Sequence, residues 1–222
     1  CVVKLMRDTR FDEKLRREKN AQEEAYGADK RAGARVYGEG AMFGRYAYAE
    51  EFVAGELMSF HAAQKQEEQI MRAVATFPVR GQVSSRAIAE VLTPLAPPEN
   101  PHLPPLLEVL TKDVVLRTGL AHGDMGRPNL LSLQNSFRII DWERAGERPF
   151  HLMDAVYFMM RLRKISSVSE WQERAAPDFE RFTGASKDES TALYALLMCY
   201  QIFKRKYADR YDAVVVVIQK LI

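Results

Sequence analysis

The most constraining feature is the segment 120–143, which reads Leu120-Ala121-His122-Gly123-Asp124-Met125-Gly126-Arg127-Pro128-Asn129 and continues through two short apolar runs to Asp141-Trp142-Glu143. Gly123, Gly126 and Pro128 exclude a regular helix across Asp124 and Asn129. The runs 130–133 and 137–140 flank Gln134-Asn135-Ser136, the pattern of a β-hairpin. Such a hairpin returns Asp141 to the neighbourhood of Asn129 and Asp124, so two carboxylates and a carboxamide oxygen converge. Oxygen-only donors of this kind suit Mg²⁺, a hard cation that shares its shell with phosphate and water.

Phosphoryl transfer uses this set: oxygen ligands hold a metal against the phosphates, and a carboxylate orients the incoming hydroxyl and accepts its proton. The order H-x-D-x-x-x-x-N, then a hydrophobic run ending in Asp, is that of the protein-kinase catalytic and metal loops. Gly123 stands where those kinases have Arg, and Trp142-Glu143 where they have Phe-Gly.

His122-Gly123-Asp124 with Asn129, Ile140-Asp141-Trp142-Glu143, and a later helix opening around Asp154 together resemble the aminoglycoside phosphotransferase and choline kinase-like small-molecule kinases. The resemblance covers about 2–207, and its specific residues lie in 120–154. It implies an α+β, protein-kinase-like two-lobe fold, with ATP or GTP bound between the lobes. A partial β-rich N-lobe would span 1–54 and a mainly helical C-lobe 55–222. By the same resemblance Asp124 is the catalytic base, and Asn129 and Asp141 are the Mg²⁺ ligands. Lys4 would contact the phosphates, and Glu18 would be its ion-pair partner, with Glu13, Glu23 and Glu24 as competitors. Glu51-Phe52-Val53 would be the hinge whose backbone binds the base edge. Asp154 is a buried anchor for the loop backbone. The stretch between Glu143 and Asp154 is too short for a peptide-docking activation segment and favours a small-molecule acceptor, with sugars, amino alcohols, aminoglycoside-like compounds and lipid-linked sugars all open.

Around these motifs the chain reads as a strand at 2–6, a helix at 11–26, and short strands at 35–37 and 45–48 joined through Gly38, Gly40 and Gly44. Helices are expected over 56–77, with Leu57, Phe60, Ile70, Met71 and Val74 inward, and from Ser84 or Ser85 through Leu95. Further helices are expected over 105–119, 151–164, 169–182 and 190–207. The chain starts without Met inside its first strand and ends on an apolar run, as a piece of a longer protein would. The resemblance puts two strands and a phosphate-covering loop ahead of Lys4. A kinase-fold binding or scaffolding module lacking that loop is therefore the alternative function.

Bland roles account for other residues. His122 and Trp142 read as packing groups beside the loop, and Cys199 as a core residue. His61, His102 and His151 lack a second ligand at zinc spacing. Arg161, Arg163 and Lys164 form either a solvated face or a seat for an anionic acceptor. Glu143, Glu147, Asp178 and Glu180 are a possible acidic cluster for a cationic one. A formal charge of +2, from 32 basic and 30 acidic residues, argues against nucleic acid as a partner. The longest apolar run, 192–200, falls short of the roughly 20 residues that span a bilayer. With only Cys1 and Cys199 there is no disulfide framework, and no signal peptide opens the chain, so the cytoplasm is the expected compartment.

Overall fold

A computed structural model describes residues 1–5, 11–146 and 149–222. Its first elements are β1 (Val2–Leu5), α1 (Asp12–Ala28), β2 (Val36–Met42) and β3 (Arg45–Glu50). The three strands form an antiparallel sheet with β3 in the middle, Lys4 of β1 and Glu39 of β2 both lying opposite Tyr48. Leu15 of α1 packs with Tyr46 and Tyr48 into a small core of its own. The opening strand was expected to reach Met6, which lies outside the described residues. β2 runs through Gly38 and Gly40 instead of stopping at them. It is an edge strand, nearly all exposed, so pairing with β3 and not side-chain packing holds it. The turn is tight: Phe43 and Gly44 have φ of 55° and 72°, the primed-turn geometry that matches strand twist.

The region expected as one helix over 56–77 is three elements: β4 (Glu56–Leu57), α2 (Phe60–Lys65) and α3 (Glu67–Ala75). Two local preferences explain the difference. Leu57 pairs with Leu131 in a strand, which leaves its side chain exposed, and the Ser59 hydroxyl accepts the Ala62 N–H at 3.1 Å to start a new helix. Phe60 is exposed as well, while Ile70, Met71 and Val74 are buried as expected.

β5 (Val79–Ser84), α4 (Ser85–Leu92), α5 (Leu103–Leu110) and β6 (Val115–Gly119) follow. Ser84 is the cap of α4, its hydroxyl accepting from Arg86 and Ala87. The helix expected over 105–119 ends at Leu110, because Asp113 turns left-handed (φ 60°) and the β-branched residues after it pair with β5. Next come β7 (Leu130–Leu133), β8 (Ser136–Ile139) and α6 (Met153–Arg163). β4, β7 and β8 form one sheet, β5 and β6 another.

The helical core closes with α7 (Val168–Arg174), α8 (Ala176–Thr183), α9 (Lys187–Lys206) and α10 (Ala208–Gln219). Pro177 in the first turn of α8 divides what read as one helix over 169–182, since its ring clashes with the preceding turn. The apolar stretch of α9 from Leu193 to Leu197 is buried on every side, and the helix packs on α5, α6, α7, α8 and α10. Val214 and Ile218, one turn apart, bury the inner side of α10. Among the described residues no helix is long and apolar enough to cross a membrane.

His151 is buried just ahead of α6, and among the described residues neither ring nitrogen has a hydrogen-bond partner of normal geometry, the Ala75 and Phe77 backbone being the nearest polar groups that act on it. Burial, helped by the Arg117 charge and opposed by the Ala75 and Phe77 backbone, pushes its pKa down from 6.5 to about 4. Between those values the unfolded chain binds a proton that the folded chain rejects, so this contribution is whole above the unfolded value and is lost as pH falls toward the folded one. Denaturant titrations at about pH 7 and pH 5 should show the parent chain losing about 1–2 kcal/mol more than His151→Leu does. Equal losses in the two chains would mean that His151 ionises freely in the fold.

Candidate active site

Between β6 and β7 the chain has neither helix nor strand hydrogen bonds over residues 120–126, and its backbone donors must be satisfied otherwise. Asp154, buried in the first turn of α6, does this. Its carboxylate accepts the His122 N–H and, at 3.1 Å, the Gly123 N–H. Gly123 has φ of 84°, and a Cβ there would stand 2.2 Å from the Arg144 carbonyl oxygen. The position where protein kinases carry Arg therefore has no room for any side chain.

His122 is fully buried and connects the two loops. Its Nδ1 accepts the Asp124 N–H at 3.3 Å, which leaves the proton on Nε2, 2.8 Å from the Ile140 carbonyl oxygen. Its ring lies 4.8 Å from that of Trp142, which in turn contacts Phe77 at 5.5 Å. Both residues are packing groups, as the sequence indicated. Asn129 then ties the loop to itself, its Nδ2 donating to the Asp124 carbonyl at 2.8 Å. That bond leaves the carboxamide oxygen as the free end.

The hairpin forms, with Leu130 opposite Ile139 and Leu133 opposite Ser136; Ser136, expected in the connection, is the first residue of β8, and the turn is Gln134-Asn135 alone. Beyond it the Ile140 N–H donates to the Asn129 carbonyl at 3.0 Å, which brings Asp141 next to Asn129. Asp141 is exposed and left-handed at φ 65°, a conformation that Asp tolerates better than most residues. Asp124, Asn129 and Asp141 line one cleft of about 840 Å³ whose other wall comes from α6 and α9. Two carboxylates and one free carboxamide oxygen fit a hard divalent cation. Among the described residues no group of three or more His, Cys, Asp or Glu is placed to hold a metal.

In the first sheet Lys4 makes an ion pair with Glu18 and lies 3.4 Å from Glu50. Tyr48 donates to Glu18 at 3.2 Å, and Gln22 donates to Glu50 at 2.6 Å. Burial opposes the Lys4 charge, but the Glu18 and then the Glu50 carboxylate outweigh it and raise its pKa. Among the competing acids of α1, Glu23 pairs with Lys19 and Glu24 with Arg80. Glu51 follows β3, its N–H donating to the Arg35 carbonyl at 2.8 Å, and Phe52 is exposed. Lys4, Glu18, Glu51, Phe52 and Val53 do not line the cleft.

Two neighbours escaped the sequence reading. Arg144 reaches within 3.7 Å of the Asp124 carboxylate, and Lys14 of α1 meets Glu143 at 3.3 Å, linking the first sheet region to the chain just past Asp141. No spacing rule points to either, because both contacts depend on how the chain turns after Trp142. Of the acidic cluster, Asp178 is held by Arg163 and Arg181 at 2.8 and 2.9 Å. Glu147 lies outside the described residues. Neither Glu143, Asp178 nor Glu180 lines the cleft.

No family model matches the sequence, and the comparison with curated proteins found no match. Solved structures do match. The aminoglycoside phosphotransferase APH(3'')-Id from Streptomyces rimosus ATCC10970 is 18% identical, with 89% of this chain and 85% of that one covered and a TM-score of 0.52. The same enzyme in complex with ADP and streptomycin gives 17% identity, 89% and 86% coverage and a TM-score of 0.54. A GDP complex of an aminoglycoside 2'-phosphotransferase-IIIa mutant matches at 13% identity, 98% and 83% coverage and a TM-score of 0.46. The small antiparallel sheets and the helical core thus make up the α+β, kinase-like fold of the aminoglycoside phosphotransferases.

Proposed function

We propose that the protein is a Mg²⁺-dependent phosphotransferase that moves the γ-phosphoryl group of ATP or GTP to a hydroxyl of a small molecule. The observation that carries this reading is the convergence of Asp124, Asn129 and Asp141 on one cleft, over a loop pinned by Asp154 and His122. In the reaction the acceptor oxygen bonds to the γ-phosphorus, the bond to the bridging oxygen breaks, and the nucleoside diphosphate leaves. Asp124 orients the acceptor hydroxyl and takes its proton, while Arg144 restrains the direction of that carboxylate. Asn129 and Asp141 are the residues that would hold Mg²⁺, which when bound offsets phosphate charge. Lys4, held by Glu18, serves the phosphates, and the backbone of Glu51-Phe52-Val53 serves the base.

The division into a sheet region over 1–54 and a helical region over 55–222 belongs to this reading, the nucleotide lying between them. The closed space over Gly123 and the short connection from Glu143 to Asp154 support a small acceptor. Cys1 and Cys199 are unpaired, which suits a reducing compartment such as the cytoplasm.

Three substitutions test the roles. Asp124→Ala should lower turnover by about 10²–10⁴-fold and keep nucleotide affinity. Normal turnover by this variant would remove Asp124 from the chemistry. Calorimetry should show ATP binding that needs Mg²⁺ and that Asp141→Ala abolishes; binding indifferent to the metal would instead indicate a non-catalytic module. Asp154→Asn faces one loop N–H with an amide NH₂, and should cost about 1–3 kcal/mol of stability. Its kcat should fall while the KM for ATP stays put; an unchanged kcat would show that the loop does not need this anchor.

A further inference from the structure

The cleft below Asp124 has a one-sided charge. Arg127, Arg161, Lys164 and Arg205 line it and are exposed, against only Asp124 and Asp141 among the acids that line it. None of the four cations has an ion-pair partner among the described residues. Their neighbour Arg163 differs, being held by Glu67 and Asp178, each at 2.8 Å. A second cavity, of about 410 Å³, shares Asp124, Tyr157, Gln201 and Arg205 with the first and includes Lys204 and Arg144 among the residues it adds. Gln201 Nε2, a buried donor without a hydrogen-bond partner among the described residues, belongs to the same wall.

Helix ends explain part of this pattern. Arg161 lies in the last turn of α6, Lys164 caps that helix, and Arg205 lies in the last turn of α9, where cations complement the dipole. Each helix end carries only about half a negative charge, less than three cations supply, and Arg127 belongs to neither helix. Like charges crowded in a concavity repel one another and focus a positive field that draws anions. The residues assigned to nucleotide phosphate and base, Lys4 and Glu51-Phe52-Val53, lie outside this lining.

We propose that the acceptor carries, besides its reacting hydroxyl, a carboxylate or phosphate group, and that Arg161, Lys164 and Arg205 hold that group while Asp124 faces the hydroxyl. Gln201 donates to the same group or to a neighbouring oxygen. A polycationic aminoglycoside would meet four like charges here. The proposal rests on the phosphotransferase reading and names its acceptor class.

The test uses inorganic phosphate as the probe, titrated calorimetrically into the Asp124→Asn chain saturated with Mg²⁺ and a non-hydrolysable ATP analogue. Phosphate should bind beside the nucleotide, and Arg161→Ala/Lys164→Ala should weaken it by about 10- to 100-fold, the loss expected for charge-assisted hydrogen bonds. Nucleotide affinity should be unchanged in that double variant. With the parent chain, glycerol 3-phosphate and glucose 6-phosphate should compete with phosphate, and glycerol, glucose and streptomycin should not. Phosphate binding that vanishes under nucleotide saturation would assign the cations to the nucleotide and overturn the acceptor proposal alone. So would streptomycin binding in place of phosphate, or a double variant that binds phosphate as the parent does. Absence of Mg²⁺-dependent nucleotide binding would overturn the phosphotransferase reading itself, and the acceptor class with it.

Discussion

The site depends first on one buried carboxylate. Asp154 reaches back from the start of α6 to the His122 and Gly123 N–H groups, in a stretch with no helix or strand of its own. A buried backbone donor without a partner costs about 1–3 kcal/mol, so two of them would be enough to unsettle a loop of this length. With Asp154 in place the loop is fixed to a helix that the core already holds. His122 passes that order on, through the Ile140 carbonyl, to the residue just before Asp141. Both carboxylates of the cleft are thus referred to a single anchor, although they come from different loops.

The same region concentrates unusual backbone conformations. Gly123, Asp141, Gly146 and Leu152 all have positive φ, at 84°, 65°, 83° and 68°. Leu152 is a residue type for which that region is costly, by about 1–3 kcal/mol. Such conformations persist where surrounding contacts over-determine them. Here those contacts are the tilted ring cluster of Trp142, Phe77 and His122, with Trp142 fully buried, and the Thr118–Phe150 bridge that fixes the chain ahead of α6. Packing energy from the helical core therefore holds a polar loop in a geometry its local preferences would not choose.

How much of this was legible follows from whether the cause was local. The hairpin could be read because two apolar runs flank a short polar stretch, but its register could not: the turn is two residues and Ser136 joins the strand, and the pairing then continues through Ile140 to bring Asp141 beside Asn129. The Lys4 and Glu18 pair could be placed only by resemblance, and the choice of Glu18 over its neighbours was made by the sheet beneath α1. The breaks at Pro177 and Ser59 carry local signals that helix-friendly composition masked. The β5 and β6 pair had no such signal. Val79 and Gly119 belong to segments separated by two helices, and only closure of the core brings them together. Gly119 shows how close the approach is, since a Cβ there would lie 2.1 Å from the Pro78 carbonyl oxygen.

Charge is where composition and structure differ most. A net formal charge of +2 over 222 residues describes a chain without electrostatic character. Folding sorts those charges unevenly. Lys4 faces both Glu18 and Glu50, so this cation of the first sheet has acids on two sides that fix its direction. In the cleft four cations, three of them at the ends of α6 and α9, share a concavity without acidic partners among the described residues, while Asp178 and Glu170 turn to Arg163, Arg181 and Arg174. Asp124 stands on the rim of this wall. A hydroxyl presented there would lie beside a carboxylate able to take its proton, and within reach of a field that selects what else the molecule carries. On the phosphotransferase reading, chemistry and selection would belong to different elements, the 120–129 loop and two helix ends, so that a change in the second need not disturb the first.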